Sequence, residues 1–181
     1  FYACLELIDH IQSAAHIPLA AKWELFEYFF LFLDEDTLDY SEHCPMLQQV
    51  ALLYVQVVDP YRGIIEEVIV EMLGGLRPYL SVARCPDWPS FMRYAHFQSG
   101  LAGIGVMRLL CAASREPAAM CDEMNALGTF MQIAENVTVP GEEMLPEEVG
   151  PREVAAVCNA LIEQALPVVK SSSASSSSAT L

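Results

Sequence analysis

The spacing of apolar residues along this chain is helical almost throughout, and this feature most constrains its fold. Trp23, Phe26, Phe30 and Leu33 recur at intervals of three and four residues, which places their side chains on one face of an α-helix. The alternation of polar and β-branched residues that is typical of strands is almost absent. The sequence therefore predicts an all-α protein.

Proline and glycine mark where the predicted helices end. The predicted helices start near Leu5 and then cover about 20–38, 45–58, 61–73, the region through Tyr94 to Cys111, 117–137 and 146–169. The helix over 45–58 ends before Asp59-Pro60, because a residue that precedes proline avoids the helical conformation. The next helix stops at Gly74-Gly75, and Asp87 or Ser90 caps the one that follows. We expect one domain over 1–170 and a disordered Ser/Ala-rich tail over 171–181.

The charge balance excludes several classes of partner. With 24 acidic and 9 basic residues, the net charge of −15 repels phosphate backbones and anionic lipids, so we expect no nucleic-acid binding. No stretch reaches the roughly 18 uninterrupted apolar residues of a membrane span, and no signal peptide is visible. The six cysteines form no Cys-x-x-Cys pair, which predicts free thiols. These features favour a cytoplasmic location and leave the oligomeric state open.

The first candidate site is an acidic segment that follows the aromatic helix. Asp36 and Asp39 are three residues apart, so on a helix their carboxylates share a face. Two carboxylates on one face repel each other unless a cation lies between them, and Mg²⁺ prefers oxygen ligands of this kind. The alternative is a solvated acidic helix end. The aromatic helix that leads into the cluster favours an apolar cavity with a metal-lined mouth.

A second group of polar residues lies near the end of the helix over 117–137. Gln132, Glu135 and Asn136 lie one turn apart, and Glu142 and Glu143 follow the break at Pro140-Gly141. Their amide and carboxylate oxygens can complete a second metal cluster. A polar helix end before a turn is the alternative, and the spacing alone leaves both open.

Several segments, in order, resemble the squalene/phytoene synthase branch of the trans-isoprenoid synthases, over most of 23–168. Asp36-Thr37-Leu38-Asp39 is similar to the first aspartate-rich motif of that family, and the segment from Tyr61 to Met72 is similar to a helix whose leading Tyr lies in the active site. The segment from Tyr94 to Arg108 resembles the Tyr/Gly signature, which is the most specific match. Two further segments, 127–136 and 145–149, look like the start and end of the second signature.

The resemblance implies an isoprenoid-synthase-type helical bundle around a central apolar cavity, and a prenyl diphosphate as substrate. It implies Tyr61 and Tyr94 as catalytic residues, and more than one Mg²⁺ ion as cofactor. The implied metal ligands are Asp36, Asp39, Gln132, Glu135, Asn136 and Glu143. The predicted cavity residues are Phe29, Phe30, Leu33, Gly100, Gly103 and Met131.

The chain departs from the family pattern at the second acidic motif. Val139 stands where the leading Asp is expected, and Thr138 stands where an Arg is expected. From this departure we predict a sesquiterpene synthase, a class I lyase that ionises one farnesyl diphosphate and cyclises the allylic cation. The first alternative is a prenyltransferase that condenses two prenyl diphosphates head to head, as squalene and phytoene synthases do. The second is a non-catalytic helical relative that binds a lipid or a partner.

Overall fold

The computed structural model describes residues 1–34, 44–114, 120–139 and 144–177 of the chain. Every regular element in these ranges is helical, as the apolar spacing predicts. In chain order they are α1 (Tyr2–Ser13), α2 (Leu19–Glu27), α3 (Phe29–Asp34), α4 (Met46–Tyr54), α5 (Tyr61–Leu76), a 3₁₀ helix (Arg77–Ser81), α6 (Trp88–Ala95), a π-helical turn (His96–Gly100), α7 (Leu101–Ser114), α8 (Cys121–Thr138) and α9 (Pro151–Ser177).

The described chain forms two compact units, Phe1–Val82 and Ala83–Leu181. In unit 1 the helices α1 to α5 bury an aliphatic and aromatic core, whose largest fully buried side chains are Leu7, Ile8, Ile11, Leu25, Phe29, Leu33, Ile69, Met72 and Leu76. In unit 2 the helix α8 packs against α6, α7, α9 and the π-helical turn. Its fully buried side chains include Phe91, Leu101 and Ile133. The single domain over 1–170 stays a prediction.

Three predicted helix boundaries differ from the structure. The helix expected over 20–38 is divided at Tyr28, which leaves α2 and α3 as separate segments. The helix α5 passes through Gly74 and Gly75, because both glycines adopt helical backbone and the 3₁₀ helix follows directly. The helix α9 continues to Ser177, into the tail predicted to be disordered, since extending a formed helix costs far less than starting one.

The cap predicted for α6 is confirmed. Asp87 is the residue before the helix, and its Oδ1 accepts a hydrogen bond from the Ser90 backbone N–H at 2.7 Å. This bond satisfies one of the backbone donors that a helix start leaves without a partner. The six cysteines are all free, as predicted.

From Trp88 to Ser114 the chain runs as one helix of 27 residues, with the π-helical turn inside it. By length and composition alone, this helix meets the criteria for crossing a membrane, although the sequence predicts no span. The core helix of a soluble protein passes the same test when it is mostly buried, but only 22 % of the apolar 18-residue stretch of this helix is buried.

Candidate functional site

The structure does not describe three of the predicted metal ligands. Asp36, Asp39 and Glu143 lie outside the described residues, so their place in a metal site stays a prediction. Among the residues that are described, no group of three or more His, Cys, Asp or Glu side chains is arranged to hold a metal ion. The candidate site is therefore built from the elements that border these segments.

A polar cluster lies where α3, α4 and α5 meet in unit 1. We define the Tyr54 cluster as Asp34, Tyr54, Arg62 and Glu66. The hydroxyl of Tyr54, a residue that is only 2 % exposed, donates a hydrogen bond to Glu66 Oε1. The Phe30 ring lies 5.3 Å from the Tyr54 ring. Tyr54 thus joins side chains from all three helices.

Arg62 holds the end of α4 in this cluster. Its Nε donates to the Val57 carbonyl at 3.2 Å, and its Nη2 lies 3.4 Å from the carbonyls of Tyr54 and Val55. The guanidinium lies over the Tyr54 ring, 4.8 Å from the centroid, and its Nη1 is 3.9 Å from Asp34 Oδ1. A cation at the last carbonyls of a helix is favourable because the helix dipole is negative there.

Burial raises the pKa of Tyr54 well above its usual value, and the hydrogen bond to Glu66 and the charges of Glu66 and Asp34 raise it further. The Arg62 charge acts in the opposite direction. Tyr54 therefore keeps its proton far into the alkaline range. In this state it is a hydrogen-bond donor with an aromatic face.

Tyr61 and Tyr94 occupy different surroundings. Tyr61 is the first residue of α5 and is half-buried. Tyr94 is buried in α6, and its ring centroid lies 6.3 Å from that of Phe91. The two residues belong to different units. Their catalytic roles stay predictions.

Two of the three predicted cavity residues of unit 1 line a pocket. Phe29 and Phe30 line a pocket of about 360 Å³ between α3 and α5, together with Val70, Leu73 and Gly74. The two phenylalanine rings meet edge to face, with their centroids 5.3 Å apart. Leu33 does not line this pocket; like Phe29, it is 2 % exposed and belongs to the core. The aromatic wall of this pocket is suited to an apolar ligand.

The predicted cavity residues of unit 2 have a different environment. The missing side chains of Gly100 and Gly103 allow close contact with α8, because an added Cβ would lie 2.2 Å from Asn125 Oδ1 and 2.3 Å from the Met124 carbonyl oxygen, respectively. Glycine at these two positions therefore permits the close approach of the two helices. Met131 is 60 % exposed. The structure shows these glycines as packing residues, and their place in a substrate cavity stays a prediction.

The second group of predicted ligands is partly brought together. Gln132 Nε2 donates to Glu135 Oε2 at 3.2 Å, so these two side chains lie side by side. The buried Asn136 is used elsewhere: its Nδ2 donates to the Gln132 carbonyl at 3.1 Å, and its Oδ1 accepts from the Met144 N–H at 3.0 Å. Asn136 therefore fastens the chain after the second acidic segment to α8.

Glu135 is the residue of this group that best fits a divalent cation. It is exposed, and among the described side chains Gln132 donates a hydrogen bond to one of its two carboxylate oxygens, Oε2. A cation requires oxygen atoms, and in the described geometry the amide group that faces Glu135 is an NH₂. Gln132 would have to exchange its two amide atoms to contribute an oxygen.

Sequence reasoning missed Tyr54, Arg62, Glu66 and Ser99 as site residues. Ser99, in the π-helical turn, donates a hydrogen bond to Gln132 Oε1 at 2.6 Å. One signal was present: Arg62 and Glu66 are four residues apart and so share a face of α5. Nothing in the sequence pairs that face with Tyr54, or pairs Ser99 with a residue 33 positions later.

The comparison with protein families decides the identity of the fold. The model of the squalene/phytoene synthase family matches residues 1–138. The chain belongs to the squalene/phytoene synthase family. The recognition made from the sequence motifs is therefore confirmed, and so is the all-α isoprenoid-synthase fold.

Individual relatives agree with this assignment. The chain is 27 % identical over 150 residues to squalene synthase of Schizosaccharomyces pombe, with 73 % of this chain and 33 % of that protein covered. It is 26 % identical over 144 residues to squalene synthase of Rattus norvegicus, with 73 % and 34 % covered. The chain thus spans about a third of the length of these squalene/phytoene synthase relatives.

Solved structures support the fold alone. A complex of TcSQS with the ligand E5700 matches with a TM-score of 0.67 at 20 % identity, covering 91 % of this chain and 58 % of that one. A complex of TcSQS with BPH1237 matches with a TM-score of 0.64 at 18 % identity and the same coverage.

The predicted function, cyclisation of farnesyl diphosphate to a sesquiterpene by a lyase, is wrong. The family model and the relatives are squalene or phytoene synthases, which agree with the head-to-head alternative. The error has a simple cause. The prediction relied on Thr138, Val139 and the acidic residues after them, a short segment that carries less information than the 138 matched residues.

Proposed function

We propose that this chain belongs to an enzyme that joins two prenyl diphosphates head to head. The observation that carries the proposal is the match of the squalene/phytoene synthase model to residues 1–138. This range contains the first acidic segment, the Tyr/Gly signature and Glu135 together. The chemistry of these residues agrees with a substrate that has an anionic head and a long apolar tail.

The anionic head requires a cation, because the chain itself carries a net charge of −15. The proposed Mg²⁺ ligands are Asp36 and Asp39 in the first acidic segment and, for a separate ion, Glu135 in α8. When bound, Mg²⁺ supplies the positive charge that stabilises the departing diphosphate. The exposed position of the Glu135 carboxylate supports its proposed role as a ligand.

The apolar tail requires a surface that excludes water. Phe29 and Phe30 provide one in unit 1, where they line the pocket beside α5. Aromatic faces also stabilise a nearby positive charge, such as that of an allylic carbocation. The Tyr54 ring, 5.3 Å from Phe30, extends this aromatic surface toward Asp34, two residues before Asp36.

The test is to incubate the protein with farnesyl diphosphate and Mg²⁺, with and without a reductant, and to analyse the products. We expect pyrophosphate release and a C30 hydrocarbon or its C30 diphosphate precursor. A volatile C15 hydrocarbon would contradict head-to-head joining, and no pyrophosphate release would favour a non-catalytic binding protein.

A pair of variants tests the role of the acidic segment. Asp36→Asn combined with Asp39→Asn removes two charges and changes little in size, so we expect turnover to fall by about 100-fold or more. Asp9→Asn, on the exposed side of α1, makes one substitution of the same type away from the segment and should leave turnover unchanged. Equal turnover in the two proteins would rule out the metal role of Asp36 and Asp39.

A further inference from the structure

The π-helical turn and α8 approach each other more closely than side chains would allow. An added Cβ at Gly128 would lie 2.1 Å from the Ser99 carbonyl oxygen, and one at Gly100 would lie 3.0 Å from Thr129 Oγ1. Glycine on both sides therefore sets the separation of the two backbones. This separation is short enough for the short side chain of Ser99 to reach across to α8.

Ser99 begins a chain of hydrogen bonds that ends at an exposed acid. Its Oγ donates to Gln132 Oε1 at 2.6 Å, and Gln132 Nε2 donates to Glu135 Oε2 at 3.2 Å. Gln132 is 3 % exposed, whereas Glu135 is exposed. The buried amide thus connects the interior of unit 2 to a carboxylate at its surface.

The orientation of this amide follows from the chemistry of its two neighbours. An ionised carboxylate only accepts hydrogen bonds, so the NH₂ group of Gln132 must face Glu135 and the oxygen must face Ser99. A hydroxyl both donates and accepts. The Ser99 hydroxyl is therefore able to bond either the oxygen or the NH₂ group of the Gln132 amide. The amide atom that faces Ser99 stays hydrogen-bonded even if the amide group rotates by 180°.

We propose that Ser99 is a positioning residue that holds the Gln132 carboxamide beside Glu135 and stays bonded to it in both amide orientations. The inference rests on the proposed function, in which Glu135 takes part in Mg²⁺ binding. A cation on Glu135 repels an NH₂ group and attracts an amide oxygen. Ser99 allows this exchange without leaving a buried polar atom unpaired, a loss that would oppose cation binding.

The experiment measures the affinity of the protein for Mn²⁺, a spectroscopic substitute for Mg²⁺, by electron paramagnetic resonance without substrate. Ser99→Ala removes the hydroxyl, and we expect it to weaken Mn²⁺ binding by about tenfold, as is typical of residues that orient a metal ligand. Ser114→Ala is the matched control. Its hydroxyl is also on the helix 88–114, but it is exposed and bonds the Leu110 carbonyl, so we expect no change.

A double-mutant cycle tests whether Ser99 acts through Gln132. Gln132→Met keeps the size of the side chain and removes both amide atoms. We expect the double variant Ser99→Ala/Gln132→Met to bind Mn²⁺ no more weakly than Gln132→Met alone. Wild-type affinity in Ser99→Ala, or additive losses in the double variant, would overturn the inference.

Product analysis of the same samples separates this inference from the proposed function. If Mn²⁺ binding depends on Ser99 but no condensation product forms, the proposed function fails and the positioning role stands. If product forms and Ser99→Ala binds Mn²⁺ normally, only the positioning role fails. If the wild-type protein binds no Mn²⁺, both proposals fall.

Discussion

Adding a single methyl group at Gly128 should destabilise the protein, whereas the same change at Gly74 should stabilise it. Both residues lie inside helices, so alanine gains about 1 kcal/mol of helix propensity at either position. At Gly74 nothing lies within 4 Å of the added Cβ, and this gain is the whole effect. At Gly128 the Cβ would lie 2.1 Å from the Ser99 carbonyl oxygen, a backbone atom that cannot rotate away.

The magnitude at Gly128 follows from that distance. Ordinary contact begins at 3.4 Å, so α8 and the π-helical turn must separate by about 1 Å. Overpacking of this kind costs about 1–3 kcal/mol and occasionally more. Because the atom that clashes belongs to the backbone, we take the upper part of this range, about 2–3 kcal/mol. After the gain of about 1 kcal/mol in propensity, we expect Gly128→Ala to be about 1–2 kcal/mol less stable than the wild type and about 2–3 kcal/mol less stable than Gly74→Ala.

Thermal and urea unfolding of the two alanine variants, followed by circular dichroism, measure this difference. For a chain of this size, 1 kcal/mol corresponds to about 2–4 °C in Tm. We expect Gly74→Ala to melt above the wild type and Gly128→Ala to melt below it. The reasoning is refuted if Gly128→Ala is as stable as Gly74→Ala, because the close approach of Ser99 would then not be present.

Two further predictions concern single polar groups. The folded state raises the pKa of Tyr54 above its usual 10.0. The contribution of Tyr54 to stability is therefore complete below pH 10 and is lost as the pH rises further, because the unfolded chain then releases this proton more readily. Urea unfolding at pH 8 and above pH 10 should show a smaller alkaline loss of stability in Tyr54→Phe than in the wild type. Gln98 Oε1 is buried and has no hydrogen-bond partner among the described residues. Methionine is similar in size and removes this buried polar atom, so Gln98→Met should raise the free energy of unfolding by about 1 kcal/mol. A lower stability of this variant in urea would show that the amide is paired.

The helices could be predicted because their signals are local. Apolar spacing of three and four residues identifies the helical segments, and the cap at Asp87 depends on a residue only three positions away. The error at Gly74 and Gly75, in contrast, has a tertiary cause. Gly74 and Gly75 are typical of a helix end, but packing of the buried side chains Met72, Leu73 and Leu76 keeps the helix α5 intact through them.

The candidate site was less predictable because its contacts join distant parts of the chain. The spacing of Gln132 and Glu135 correctly placed them on one face of a helix, and the structure shows them hydrogen-bonded. It could not show that Asn136, one residue later, bonds the Met144 backbone. Likewise, nothing local in the Tyr/Gly signature showed that Ser99 bonds Gln132, a residue 33 positions later.

The π-helical turn at His96–Gly100 makes the number of residues at this point critical. Each residue of an α-helix advances about 100° around the axis, and the wide turn accommodates one residue more than an α-helical turn does. Deleting one residue there would rotate everything that follows, up to Ser114, by roughly that angle. Gly103 would then no longer face α8, and bulkier neighbouring residues would pack against α8 in its place. We therefore expect this stretch, apart from Gly100, to tolerate substitutions far better than insertions or deletions.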